Sequence, residues 1–137
     1  LFIEFTAAAA KNYGIQVNIE SLNHTECNMI NSLIEAKEYV EEINQPNVSL
    51  LADFYHMQIE NEQLDHLIQV KNMLNYVHVA DSGRLYPGSG TFPFQALGEI
   101  LREIGYQGPI SVECTWQHAA KEIPEAALFL KSIVGIR

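Results

Sequence analysis

The chain has 137 residues, 47% hydrophobic and 18% charged, enough for one domain with its own core. Its 8 Lys and Arg against 17 Asp and Glu, a formal net charge of -9, argue against a nucleic-acid partner, because phosphate binding needs a basic stripe. No apolar run is long enough to span a membrane, no signal pattern is visible, and Cys27 and Cys114 lack CxxC spacing; a cytoplasmic protein without membrane contact, disulfide or zinc knuckle is expected.

In chain order, TAAAAKNY reads as helix, since alanine has the best helix propensity, and Gly14 is placed to end it. The chain opens without Met in the middle of this helix, which suggests a piece of a longer polypeptide. IQVNIE, residues 15–20, reads as a strand, and the loop SLNHTECNMIN follows. Ser32 and Glu35 have capping-box spacing ahead of the helix LIEAKEYVEEI, which NQPN closes with turn chemistry. VSLLAD is a second strand; beyond FYHMQIE, residues 62–73 read as a helix burying Leu64, Leu67, Ile68 and Leu74.

NYVHVA is a third strand, and the loop DSGRLYPGSG after it is too long for a simple connector. Phe94, Leu97, Leu101 and Ile104 share one helical face that Gly105 ends; PISVEC is a fourth strand, and Ile123 to Val134 the closing helix. Short apolar strands alternating with amphipathic helices predict right-handed βαβ units and a parallel sheet. No GxGxxG follows the first strand, so a dinucleotide fold lacks its phosphate-binding turn. The fold expected is α/β, a parallel β/α barrel of TIM type. A complete barrel takes about 250 residues, so residues 1–137 form a single unit of about four β/α repeats, half of it. A half-barrel leaves two open edges, to be covered by the missing half, by a second copy in a homo-oligomer, or by a sandwich-like closure.

Each apolar run ends on a residue able to hold a cation: Glu20, Asp53, His78 and Glu113. The C-terminal ends of parallel barrel strands converge on one face, where three carboxylates and an imidazole make an oxygen-rich divalent-metal site. Each residue also has a plainer reading. Asp53 is placed to cap a helix, His78 to be a hydrogen-bonded core residue, His56 to open a helix, and Arg84 to lie on a surface loop. Trp116 suits a sugar-stacking platform or simple rim packing. His24 sits where a pocket mouth would be, and His66 on a solvent face.

The motifs carry a resemblance. NIESLN, residues 18–23, resembles the E-P-L-N segment of sugar phosphate isomerases and epimerases with the xylose isomerase-like TIM barrel, the ketose 3-epimerases among them. ADFYHM is similar to that family's D-x-x-H-M segment, HVADSGRLYPGSG to its H-x-x-D/E-x-x-R-x-x-P-G-x-G loop, and ISVEC to its last-strand glutamate. The order of the motifs corresponds to the C-terminal half of the family barrel.

The resemblance implies Glu20, Asp53, His78 and Glu113 as metal ligands, with Mn²⁺, Mg²⁺ or Co²⁺ favoured and Zn²⁺ an alternative. It implies Glu20 and Glu113 as catalytic acid and base, and His56 and Arg84 as contacts to a sugar or sugar phosphate. The implied reaction moves a proton next to a carbonyl through an enediolate, with a divalent cation as Lewis acid. Tyr76 stands where epimerases often have a second His, and Cys114-Thr115-Trp116 where they have Pro-Phe. These departures leave the sugar open. Metal enzymes of the inosose dehydratase or family 2 apurinic endonuclease type are alternatives, the latter disfavoured by the acidic charge. A catalytically incomplete fragment that only folds or associates is another.

Overall fold

The computed structural model describes residues 2–135. Four strands, β1 (Val17–Glu20), β2 (Val48–Asp53), β3 (Leu74–Val79) and β4 (Ile110–Val112), form one parallel sheet in sequential order. Around them lie α1 (Phe2–Lys11), α2 (Leu33–Ile43), α3 (Phe54–Ile59), α4 (His66–Val70), α5 (Phe94–Glu103) and α6 (Ala119–Val134). Sequential parallel strands joined by right-handed crossovers place the helices on one side of the sheet. On that side Ile19, Leu50, Ala52, Val77 and Val79 are buried against Leu33, Leu67, Phe94 and Leu97. Burying each such Leu, Val or Phe stabilises the fold by about 1.5–3 kcal/mol.

Because side chains alternate along a strand, the opposite face carries Asn18, Glu20, Leu51, Asp53, Tyr76, His78 and Ser111. It is a polar face, tied across the strands by Tyr76 Oη to Ser111 Oγ at 2.7 Å; Asn75, the extra residue where the β2–β3 register shifts, donates Nδ2 to Asn18 Oδ1 at 2.9 Å. The register sets Asp53 beside His78 and His78 beside Ser111, with Glu20 beside Leu51, so the acidic ends are staggered by two residues on either side of the Asp53–His78 level. The sheet is open, with β1 and β4 at its edges, and shows no sandwich-like closure among the described residues.

Local signals act largely as read. Ser32 Oγ accepts from Glu35 N at 3.2 Å, while the Glu35 carboxylate accepts from Asn31 N at 2.7 Å, so the reciprocal arm of the box reaches one residue further back. Gly98 sits mid-helix in α5, where glycine costs about 1 kcal/mol relative to alanine. A Cβ there would lie 2.5 Å from Ile133 Cγ2 and 2.6 Å from its carbonyl oxygen, so the glycine permits α5 and α6 to pack closely.

Three elements differ from expectation. Residues 62–73 do not make one helix: only His66–Val70 is α-helical, and Leu74 opens β3. The cause is Glu62, whose Oε1 accepts from Leu33 N at 2.7 Å and lies 2.8 Å from His66 Nδ1, tying the segment to the start of α2. Helix α3 starts directly from β2, with Asp53 as its cap. Helix α6 begins at Ala119, one turn before Ile123, and carries Pro124 inside it; the His118 carbonyl accepts from Lys121 and Glu122, which starts the helix ahead of the proline.

Candidate metal and substrate site

Glu20 closes β1, Asp53 closes β2, His78 is the fifth residue of β3, and Glu113 follows β4, with its N–H on the Val79 carbonyl at 3.0 Å. The sheet brings these four together, one ligand atom from each lying within 4.8 Å of the others. His78 Nδ1 is 3.0 Å from Glu113 Oε2 and 3.6 Å from Glu20 Oε1. Asp53 is fully buried, while the Glu113 side chain is half exposed.

Burial pushes the Glu20 carboxyl up to about 7, and the charges of Asp53 and Glu113 add to the rise while His78 opposes it. Burial likewise raises Asp53 above the usual carboxylate range, against the pull of His56. Glu20 Oε1 is buried without a hydrogen-bond partner among the described residues. Three gathered carboxylates with an orphaned oxygen are costly alone and suit a divalent cation, which supplies the missing positive charge. The donor set therefore fits a hard or borderline metal ion.

Asp53 caps a helix and also lies in the cluster. Its Oδ1 accepts from Tyr55 N at 2.8 Å and caps α3, while its Oδ2 is 3.7 Å from His56 Nε2. His56 is buried in the first turn of α3, beside the cluster. Arg84 reaches the cluster from the loop after β3: Nη2 is 3.6 Å from Glu113 Oε1, and the guanidinium lies 5.0 Å from the centroid of the Tyr55 ring. Its backbone has φ +57°, unusual for a residue other than glycine, and the Arg84 carbonyl accepts from Thr115 N at 2.8 Å.

Buried Asp81 builds the loop that carries Arg84. Its Oδ1 accepts from Ser82 N at 2.8 Å and Phe92 N at 3.0 Å, and its Oδ2 from Gly88 N at 3.0 Å. Gly90 approaches so closely that a Cβ there would strike the Asp81 carboxylate and the Ser82 hydroxyl. Trp116 stacks on Tyr86 at 6.4 Å between centroids and 14° between planes, and Tyr86 Oη donates to Glu125 at 2.9 Å. His24 pairs with Glu60 at 2.7 Å on the surface, and His66 is half-buried against Glu62.

Glu26, Asn23 and Tyr55, none of them assigned a role from the sequence, also join the site. Glu26 Oε1 is 2.9 Å from Arg84 Nη1, and Asn23 hydrogen-bonds to both Glu26 and His56. Asn23 and Glu26 lie in the irregular loop after β1, where no periodicity marks an inward side chain, and Tyr55 in the first turn of the short helix α3; an acidic residue six places after Glu20 was the only signal for Glu26.

A parallel β/α sheet with acidic and imidazole ligands gathered at the C-terminal strand ends defines a barrel-type fold with a cation-ready face. Residues 2–133 match the xylose isomerase-like TIM barrel family, and the chain belongs to that family. It is 41% identical over 105 residues to the 3-dehydro-D-guloside 4-epimerase of Escherichia coli, a match covering 76% of this chain and 40% of that protein. It is 37% identical over 108 residues to the ketose 3-epimerase of Arthrobacter globiformis, covering 78% and 37% respectively. The crystal structure of D-allulose 3-epimerase from Methylomonas sp. with D-allulose superposes with a TM-score of 0.91 at 28% identity, over 96% of this chain and 52% of that one. The chain thus spans about half the length of that structure.

Proposed function

We propose that this chain is the ligand-bearing, C-terminal half of a divalent-metal-dependent sugar or sugar phosphate isomerase or epimerase. The observation that carries the reading is the convergence of Glu20, Asp53, His78 and Glu113, with His56 and Arg84 beside them, in a chain whose relatives include epimerases of ketoses. Glu20, Asp53, His78 and Glu113 would hold the ion, Mn²⁺, Mg²⁺ or Co²⁺ by donor type. Bound there, it would act as a Lewis acid toward a carbonyl oxygen.

The remaining chemistry falls to the side chains. Glu20 ends one outer strand of the sheet and Glu113 follows the other, so a sugar bound between them would meet a carboxylate on either side. One takes the proton next to the carbonyl and the other returns it, each worth roughly 10²–10⁴-fold as general base or acid. Return to the same carbon gives an epimer; return to its neighbour gives an aldose–ketose isomer. Arg84, always charged, offers a planar fork of donors to sugar or phosphate oxygens. Buried His56, with Nε2 unpartnered among the described residues and 3.7 Å from Asp53 Oδ2, would offer a second contact. The open edges at β1 and β4 pair with the other half of the barrel or with a second copy. The unpaired Cys27 and Cys114 suit a reducing cytoplasm.

The test is solvent-proton exchange into a ketose in ²H₂O, catalysed by the intact enzyme with Mn²⁺. Glu113→Gln should cut exchange about 10²–10⁴-fold; undiminished exchange overturns its role.

A further inference from the structure

The loop after β1 contains an asparagine whose hydrogen bonds determine which nitrogen of His56 carries a proton. Asn23 and His56 are both buried, at 1% and 2% exposure. The Asn23 carboxamide has one consistent orientation. Its Oδ1 accepts from the backbone N–H of Thr25 at 3.0 Å and from the Thr25 hydroxyl. A backbone N–H can only donate, so the oxygen belongs on that side. The amide nitrogen then faces the other way, donating to Glu26 Oε1 at 3.0 Å and lying 2.8 Å from His56 Nδ1.

A second donor meets the same ring nitrogen: the Asn23 backbone N–H points at His56 Nδ1 at 3.3 Å. An imidazole nitrogen that receives two N–H groups must offer its lone pair, and a neutral ring then carries its hydrogen on the other nitrogen. That nitrogen, Nε2, is buried without a hydrogen-bond partner among the described residues. It stands 3.7 Å from Oδ2 of Asp53, a member of the carboxylate cluster.

We propose that Asn23 is a positioning residue that locks His56 in the Nε2–H tautomer, so that the ring presents an N–H donor to a substrate oxygen. That the acceptor is a sugar oxygen rests on the function proposed above; the tautomer itself does not. The same amide also ties down Glu26, which holds Arg84. One buried side chain therefore sets the orientation of two groups that would grip the substrate, as outer-shell hydrogen bonds do at other sites.

Long-range ¹H–¹⁵N correlation spectra of the intact, ¹⁵N-histidine-labelled protein read the tautomer directly. His56 should show a proton on Nε2 and none on Nδ1; a proton on Nδ1 overturns the assignment. Asn23→Asp places a carboxylate oxygen against Nδ1 and should draw a proton onto it, with kcat/KM for a ketose falling about 10–100-fold. If Asn23→Asp moves the proton but leaves kcat/KM unchanged, the positioning role fails. If the wild-type tautomer is as assigned and the intact enzyme turns over no ketose, the lock stands and the proposed function falls.

Discussion

Asp81 gives the sharpest test of how the Arg84 loop is held. It is 1% exposed and accepts three backbone hydrogen bonds, from Ser82, Gly88 and Phe92, at 2.8–3.0 Å. Bonds to a charged acceptor contribute about 1.5–3 kcal/mol each. Asp81→Ala removes all three but also recovers part of the several-kcal/mol cost of burying a carboxylate. The net loss should be about 2–4 kcal/mol, given that Gly88 is exposed and can turn to water. Asp81→Asn keeps one carbonyl oxygen for Ser82 and Phe92 but sets an amide against Gly88 N–H, and should cost less, about 1–3 kcal/mol. Urea unfolding gives the free energies, and hydrogen exchange at Ser82, Gly88 and Phe92 shows whether the loss lies in this loop. A loss under about 0.5 kcal/mol with unchanged exchange at these amides would refute the assignment of Asp81 as the loop's organiser.

Two further outcomes follow from packing and charge. The Glu20 carboxyl, raised to about 7 chiefly by burial and then by Asp53 and Glu113, binds a proton more tightly folded than unfolded, where its value is 4.5. Its contribution to stability is therefore full below about 4.5 and lost as pH rises through about 7, so metal-free protein should lose urea resistance between about pH 4.5 and 7 and level off above that. Glu20→Gln should flatten that slope, and an unchanged slope would count against the shift. Gly98→Ala should lower stability by about 1–3 kcal/mol despite alanine's better helix propensity, because its methyl meets Ile133; a raised Tm would contradict the close α5–α6 approach.

The strand ends were legible because each of Glu20, Asp53 and Glu113 closes an apolar run, and parallel topology does the rest. For Asp53 the cap and site readings are not exclusive, since a carboxylate has two oxygens: Oδ1 caps α3 and Oδ2 is left toward His56. His78 was ambiguous for a similar reason: it sits between two valines, yet alternation turns it toward Glu113. The helical period over residues 62–73 misled because Glu62 bonds outside its own segment, and no local pattern encodes a tertiary contact. Asn23 and Tyr55 fall inside the NIESLN and ADFYHM motifs without an assigned role, and Glu26 lies in a loop with no period to mark it. The length of α6 escaped because Pro124 reads as a first-turn residue, while the His118 carbonyl begins the helix before it.

The most direct measurement is anomalous diffraction from crystals of the intact protein soaked with Mn²⁺ and a ketose. One peak is predicted within about 2.0–2.6 Å of Glu20, Asp53, His78 and Glu113, with the sugar between the two glutamates and within reach of His56 and Arg84. A peak elsewhere, or no peak at these four residues with the ion present at saturating concentration, would contradict the metal-assisted proton transfer proposed for this chain.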